Sequence, residues 1–279
     1  MKWIYTSLSY LFILLGCFLT AANIYGTFVE LRPPNIINTN LRFHNDLALT
    51  HEDSAQQVQT LLNENPLDYS ARLAHVISKS LAHIDWYNET DNQKYNQLIP
   101  IWENYLLYFM GKFSGIPEFQ RYHYTNYKRS LRRGVGICGD ASIAMSQLLD
   151  KQSIPNQIIS FPGHVVVSAI VGNKEWVFDP DYGVVLPISL DQLNQTPTQV
   201  YQHYKDIGYS SREVNELVDI YKLEFERWNG VSHFMTNKYY FEKLVYFVKW
   251  PLPIVLIIVG LIFIGQIRVD KKHKRHSTA

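Results

Sequence analysis

Two uncharged, apolar runs near the ends of the sequence constrain this chain more than any other feature. From Trp3 to Gly26 there is no charged residue, and Leu8 to Leu19 is strongly apolar; the run is long enough to cross a bilayer as a helix. The second run, Pro251 to Ile267, borrows from the aromatic Leu244-Val245-Tyr246-Phe247 before it, and Tyr246 and Trp250 suit an interface belt. Arg268, Lys271, Lys272, Lys274 and Arg275 follow at once. Clustered cations stay on the cytoplasmic side, and Lys2 weakly places the N-terminus there too, so the region between the runs is expected outside the cytoplasm. The first run also reads as a cleaved signal peptide, with small residues near Leu19-Thr20-Ala21-Ala22, although a retained anchor is expected. Either outcome exports the intervening region.

Within that region the cysteine arithmetic is informative. The chain has two cysteines: Cys17 lies in the first apolar run and Cys138 stands alone in the exported part, so no intrachain disulfide forms there. A lone thiol in an oxidising compartment is a liability unless it is buried or used. Glycines at 134 and 136 allow a tight turn, and Ala141 to Leu149 reads as helix, with Ala141, Ala144 and Leu148 on one face. Cys138 therefore falls at or just before a helix N-terminus, where unpaired backbone N–H groups and the helix dipole favour a thiolate. The competing reading is a small buried hydrophobe.

Composition narrows the rest. With 279 residues, 47% of them hydrophobic and 14% aromatic, the chain holds one substantial domain plus extras and is not disordered. A net charge of +1 and no basic stripe in the central region exclude a nucleic-acid partner. A polar connector follows Leu31-Arg32-Pro33-Pro34. Helices are expected from about His51, with Val58, Leu61 and Leu62 on one face, then over Leu67 to Trp86 with Asp68 as a cap, and over Tyr95 to Met110, stopped by Gly111. In the stretch Tyr122 to Arg133, Tyr122, Tyr124 and Tyr127 alternate with Arg121, Lys128, Arg129, Arg132 and Arg133. It reads as a solvated helix face or as a positive rim near Cys138.

After a helix over 139 to 151, Gln157 to Phe161 is a strand, and His164 to Val171 and Glu175 to Asp179 form a hairpin about Gly172-Asn173. A two-residue turn places Val171 opposite Lys174 and Asp179 opposite Val166. Asp179 is then the diagonal neighbour of His164 on one face, roughly 7 to 8 Å away between Cα atoms, within reach of an imidazole nitrogen. A three-residue turn moves Asp179 to the other face. Leu190 to Tyr204 is weakly helical, and Arg212 to Phe225 is helical, with Ser211 as a cap. The aromatic Trp228 to Tyr246 is expected on or near a membrane surface.

Cys138, His164 and Asp179 have the chemistry of nucleophile, base and orienter. The motifs Gly136-Ile137-Cys138-Gly139-Asp140-Ala141, Gly163-His164-Val165-Val166-Val167 and Trp176-Val177-Phe178-Asp179-Pro180 resemble, in order and spacing, those of the transglutaminase-like superfamily of papain-fold cysteine enzymes, in a compact bacterial-type form. The resemblance covers roughly residues 120 to 187 and leaves out the flanking helical regions and the apolar runs. It implies an α+β fold, with a helix bearing Cys138 packed on an antiparallel sheet bearing His164 and Asp179, to which this chain adds extra helices and two transmembrane helices. It also implies that Cys138 is the nucleophile, His164 the base and Asp179 its orienter, and it matches Asp140 to an acid expected to cap the helix. The oxyanion donors stay open: the Cys138 backbone N–H, with Gln120, Tyr124 or Tyr127 as side-chain candidates.

The expected organisation is an anchor over 1–30, a helical region over 31–118, the catalytic core over 119–190, a second helical region over 191–248, a transmembrane helix over 249–268 and a basic tail. The expected activity is acyl chemistry on amides through a thioester, by hydrolysis or transfer, with peptide or other amide-bearing envelope substrates, lipid and membrane proteins as partners. The rival expectation is a non-catalytic membrane scaffold. No cofactor or metal is expected. His44, His51, His75, His83 and His123 are available, but His75 and His83 are too far apart on one helix to chelate together, and there is neither a Cys-x-x-Cys nor a His-Glu-x-x-His motif. No calcium-loop pattern occurs either. Asn88-Glu89-Thr90 and Asn194-Gln195-Thr196 match glycosylation sequons.

Overall fold

The computed structural model describes residues 2–34, 36, 49–84 and 92–276. Expectations that fall on His44, Asn88 and Trp86 lie outside these residues. In chain order the elements are α1 (Lys2–Phe28), α2 (His51–Gln57), α3 (Pro66–Ser78), β1 (Ala82–His83), α4 (Tyr105–Phe113), α5 (Pro117–Gln120), α6 (Tyr127–Arg133), β2 (Val135–Gly136), α7 (Cys138–Lys151), β3 (Asn156–Phe161), β4 (His164–Val171), β5 (Lys174–Asp179) and β6 (Val184–Leu186). There follow α8 (Leu190–Gln195), a 3-10 turn at Pro197–Val200, α9 (Tyr201–Ile207), α10 (Ser211–Tyr221), β7 (Glu226–Trp228), α11 (Val231–Phe234), α12 (Thr236–Val248) and α13 (Pro251–His276). The protein is α+β, and its contacts divide it into two units: Met1–Val29, Leu98–Gln120 and Phe241–Ala279 form one, Glu30–Gln97 and Arg121–Tyr240 the other.

The second unit is built on a five-stranded antiparallel sheet in the order β6-β5-β4-β3-β7. Val171 lies opposite Lys174 and Val167 opposite Phe178, the register that a two-residue turn demands. Gly172 (φ 58°) and Asn173 (φ 66°) both occupy the left-handed region, which glycine enters freely and asparagine tolerates. Alternation along the strands gives each face of the sheet its own core. Val167, Ala169 and Phe178 pack with Leu73, Ile77, Ala141, Ala144 and Leu148 of α3 and α7. Ile159, Phe161, Val166 and Val177 pack instead with residues of α8 to α10, among them Leu193, Tyr204, Val214, Leu217 and Tyr221.

Several helices end earlier than their periodicity predicts. After α2, Leu61 and Leu62 lie in a polar turn, 61% and 93% exposed, instead of sharing a buried face. In α3 the cap is Asn65, whose side chain accepts from the Leu67 and Asp68 amides. The helix stops at Ser78, and Leu81, Ala82 and Ile84 are buried around β1 instead, which pairs in parallel with β2. Residues 95–103 form turns, and the next helix runs from Tyr105 to Phe113 with Gly111 inside it. Here Asn104 caps, accepting from the Leu106 and Leu107 amides, so the start is set by a side chain and not by apolar spacing. Ser210, not Ser211, caps α10. In the Tyr122 to Arg133 stretch Tyr122, Tyr124, Tyr127 and Arg133 are buried, Arg121, Arg129 and Arg132 are half-buried and Lys128 is exposed.

In the first unit, α1 and α13 contain stretches, Tyr5–Phe28 and Pro251–Val269, long and apolar enough to span a membrane. Two glycines bring the helices together. A Cβ on Gly16 would sit 2.6 Å from the Pro253 carbonyl oxygen, and one on Gly260 would sit 2.7 Å from that of Ser9. Such close backbone approach is how helices pair where lipid removes the hydrophobic drive.

Candidate active site

Cys138 is the first residue of α7, after Ile137 in an extended N-cap conformation. Asp140 reaches back one turn, its Oδ2 accepting from the Ile137 N–H at 3.0 Å, which fixes the start of the helix at the cysteine. Asp140 Oδ2 also bonds His123 Nδ1 at 2.9 Å, and Oδ1 lies 3.6 Å from Arg133, an ion-pair contact rather than a hydrogen bond. Burial pushes the Asp140 carboxyl up, but His123, Arg133 and the Ile137 amide outweigh it and hold the group below the usual carboxylate range. The capping role expected for Asp140 is thus its observed role, within a cluster that absorbs Arg133 from the basic stretch.

His164 opens β4, and Ser142, in the first turn of α7, donates its hydroxyl to the Val165 carbonyl at 2.9 Å. This bond ties the beginning of the helix to the beginning of the strand. Gly163 (φ 98°) supplies the turn between Phe161 and His164, which face each other across β3 and β4. On the neighbouring strand, Asp179 Oδ2 lies 2.8 Å from His164 Nε2, and both side chains are buried. With Nε2 engaged by Asp179, Nδ1 is the other ring nitrogen, and the Cys138 side chain at the start of α7 is near enough to favour the protonated imidazole. The structure therefore brings all three expected residues together.

The electrostatics follow from these contacts. Burial acts to strip His164 of its proton, but the Asp179 charge, its hydrogen bond and the Cys138 side chain oppose burial and hold the imidazole well above its ordinary value. Asp179 is itself saturated. Its Oδ1 accepts from the Asp181 and Tyr182 amides, each at 3.2 Å, and its Oδ2 accepts from the Tyr204 and Tyr221 hydroxyls at 2.8 and 3.2 Å. Those two hydroxyls lie 2.6 Å apart. Burial, with the Asp179 charge behind it, pushes both phenols well above their usual range, so they remain protonated donors. Tyr182 and Tyr221 also set their rings edge-on to His164, at 5.5 and 6.0 Å between centroids.

The two tyrosines are partners of Asp179 that the sequence does not announce. Tyr221 falls on the apolar stripe of α10 beside Val214, Leu217 and Val218, where an aromatic reads as core, and Tyr204 lies in a weakly periodic stretch. A third histidine–carboxylate pair lies close in sequence to the same residues: His83, opposite Gly136 in the β1–β2 ladder, places Nδ1 3.1 Å from both carboxylate oxygens of Asp181.

Of the side chains considered as oxyanion donors, Tyr127 is removed from Cys138. Its backbone N–H donates to Gln147 and its hydroxyl receives Lys151, toward the other end of α7. Tyr124 is buried beneath the Arg133 guanidinium, 4.7 Å from its ring centroid. The first turn of α7, whose N–H groups have no partner within the helix, has open space beside it: a Cβ on Gly139 would meet nothing within 4 Å. A cavity of about 540 Å³ lined by Asp150, Ile170, Glu175 and Arg227 lies elsewhere. At 1.5 Å per residue, Asp150 is about 18 Å along α7 from Cys138, so this hollow lies away from Cys138.

Among the described residues no group of His, Cys, Asp and Glu side chains is arranged to hold a metal ion. Asn194, the described sequon asparagine, donates its amide to the Tyr221 and Leu223 carbonyls at 2.8 and 2.9 Å. No protein-family profile, curated protein or solved structure matches the chain.

Proposed function

We propose that this chain is a membrane-anchored cysteine enzyme with a transglutaminase-like, papain-type core, acting on amide bonds through a thioester. The observation that carries the reading is the buried pair of His164 and Asp179, with Nε2 2.8 Å from Oδ2 and the Cys138 side chain near the imidazole. In this mechanism His164 takes the Cys138 proton through Nδ1, and the sulfur attacks the substrate carbonyl carbon. The oxyanion that forms is met by N–H groups at the start of α7, which have no partner within the helix. His164 returns its proton to the departing amine, the C–N bond breaks, and an acyl thioester remains on Cys138. Water or a second amine, deprotonated by His164, then attacks the thioester carbonyl and releases the thiol. Asp179 holds the imidazole orientation and balances its charge through both proton transfers, and the Tyr204 and Tyr221 hydroxyls hold Asp179.

With α1 and α13 as membrane spans, the tail from Arg268 onward lies in the cytoplasm and the sheet-bearing unit lies outside it. An amide-bearing substrate of the cell envelope fits that placement. The test is covalent: purified full-length chain is treated at neutral pH with an electrophilic amide mimic and the adduct is located by mass spectrometry. Modification of Cys138, abolished in His164→Ala, is the expected result. Equal labelling of wild type and His164→Ala would refute the proposed pairing and leave a scaffold that merely carries a thiol.

A further inference from the structure

The first turn of α4 is tied to the ends of the two apolar helices. Lys249, two residues before α13, donates through Nζ to the Glu103 carbonyl at 2.6 Å. Its own carbonyl accepts from Asn23 Nδ2 of α1 at 2.6 Å and from the Tyr105 hydroxyl at 3.1 Å. Tyr246 donates to Glu103 Oε1 at 2.8 Å. Backbone contact supports the same junction, because a Cβ on Gly26 would collide with the Trp102 carbonyl oxygen. These buried polar groups sit at one end of the apolar stretches Tyr5–Phe28 and Pro251–Val269, the level at which hydrocarbon gives way to headgroups if the stretches span a bilayer.

From that level α4 presents a face that the described residues leave open. Leu106, Phe109 and Phe113 recur at spacings of three and four and so share one side of the helix. Phe109 is 44% and Phe113 73% exposed, and Ile116, just beyond the helix, is 42% exposed. The opposite side is filled: Leu107 is buried, and Gly111 lies so close to α5 that a Cβ would sit 2.5 Å from the Phe119 carbonyl oxygen. Leu244 and Phe247 of α12, with Trp250, add further exposed apolar surface to the same unit.

We propose that α4 is an interfacial helix, seated between headgroups and acyl chains in the leaflet that holds the C-terminal end of α1 and the N-terminal end of α13. The occupant of the exposed face is lipid, because the face belongs to the unit that contains both apolar helices and starts at their common end. An amphipathic segment with an aromatic apolar side takes this position at a bilayer surface, and Lys112 in the last turn is exposed and supplies an amine for headgroup phosphate. The inference rests on reading α1 and α13 as spans.

The test uses the full chain with Cys17→Ser and Cys138→Ser, reconstituted in phosphatidylcholine–phosphatidylglycerol nanodiscs. A single nitroxide label is placed at Phe113→Cys, with Phe109→Cys in parallel in case one substitution disturbs folding. Leu261→Cys on α13 and Leu62→Cys, 55% and 93% exposed at the native residues, serve as membrane and water references. Collision with oxygen and with a water-soluble nickel chelate is measured. The expected result is loss of nickel collisions at 113 and 109 relative to 62, with high oxygen collision retained. Nickel access at 113 and 109 equal to that at 62, while 261 stays protected, overturns the interfacial helix and leaves the spans intact. Protection from both reagents means that protein covers the face, which also overturns it. Nickel access at 261 removes the spanning reading itself.

Discussion

Asp179 is a charged residue with no exposure to solvent, and its partners explain how burial is tolerated: two backbone amides, two phenols and one imidazole approach its two oxygens. The imidazole gains most, since the nearby charge holds His164 above its ordinary value against burial. Two predictions follow from that sign. In Asp179→Asn the charge is gone and burial prevails, so the alkaline limb of the labelling or turnover profile moves to lower pH and kcat/KM falls by about 10²–10⁴-fold. A pH series on both proteins checks this, and an unmoved alkaline limb contradicts it. Stability has the same sign. The pair contributes fully at pH below the ordinary imidazole value, and its contribution is lost as pH rises through the raised one, so the Tm gap between wild type and Asp179→Asn should narrow on the alkaline side. Tyr204→Phe removes one hydrogen bond to a buried charge, at a cost of about 1.5–3 kcal/mol in urea unfolding, while Cys138 still takes the amide mimic because Tyr221 and the two amides remain.

At the scale of elements, the candidate site depends on where helices and strands begin. Cys138 opens α7, His164 opens β4, and the Ser142–Val165 bond holds the two openings together. The hairpin was legible because Gly172-Asn173 is a strong local signal and the two-residue register then fixes every pair, including the side on which Asp179 lies. The helix from Cys138 was legible for a similar reason, with glycines before it and apolar spacing after it. Strands of two or three residues, such as β1, β2, β6 and β7, carry too few positions to show a period. In Leu81 and Ile84 the spacing of α3 continues by coincidence past its real end, and burial around the β1–β2 ladder accounts for both. Tyr204 and Tyr221 were hidden because a tyrosine ring looks alike whether its hydroxyl meets solvent or a carboxylate. The turn itself can be tested. Gly172→Val places a β-branched residue at φ 58°, which should cost about 1–2 kcal/mol in urea unfolding. Labelling of Cys138 should persist, since β3 and β6 pin the register from either side. Loss of labelling at undiminished stability would mean that the turn, and not the sheet, sets the site.

For the whole molecule, if α1 and α13 span a membrane, the order of segments along the chain sets which side each part occupies. Gly16 and Gly260 let α1 and α13 approach at backbone distance, so the two apolar helices form one antiparallel pair with Phe28 and Pro251 toward the same end. If that pair spans a bilayer, everything from Val29 to Trp250 emerges on one face, and the cations from Arg268 to Arg275 stay on the other. The cysteine inventory makes the claim measurable, because Cys17→Ser with Cys138→Ser leaves no native thiol. In that background Leu62→Cys should react with a membrane-impermeant maleimide on intact cells, and Ser277→Cys should react only after permeabilisation. The reverse pattern would place the sheet-bearing unit in the cytoplasm, where a lone thiol is under no oxidative pressure, and the case for an envelope substrate would fall while the Cys138–His164–Asp179 geometry stood. Reaction at both sites on intact cells would show that the helices do not cross the membrane as a pair.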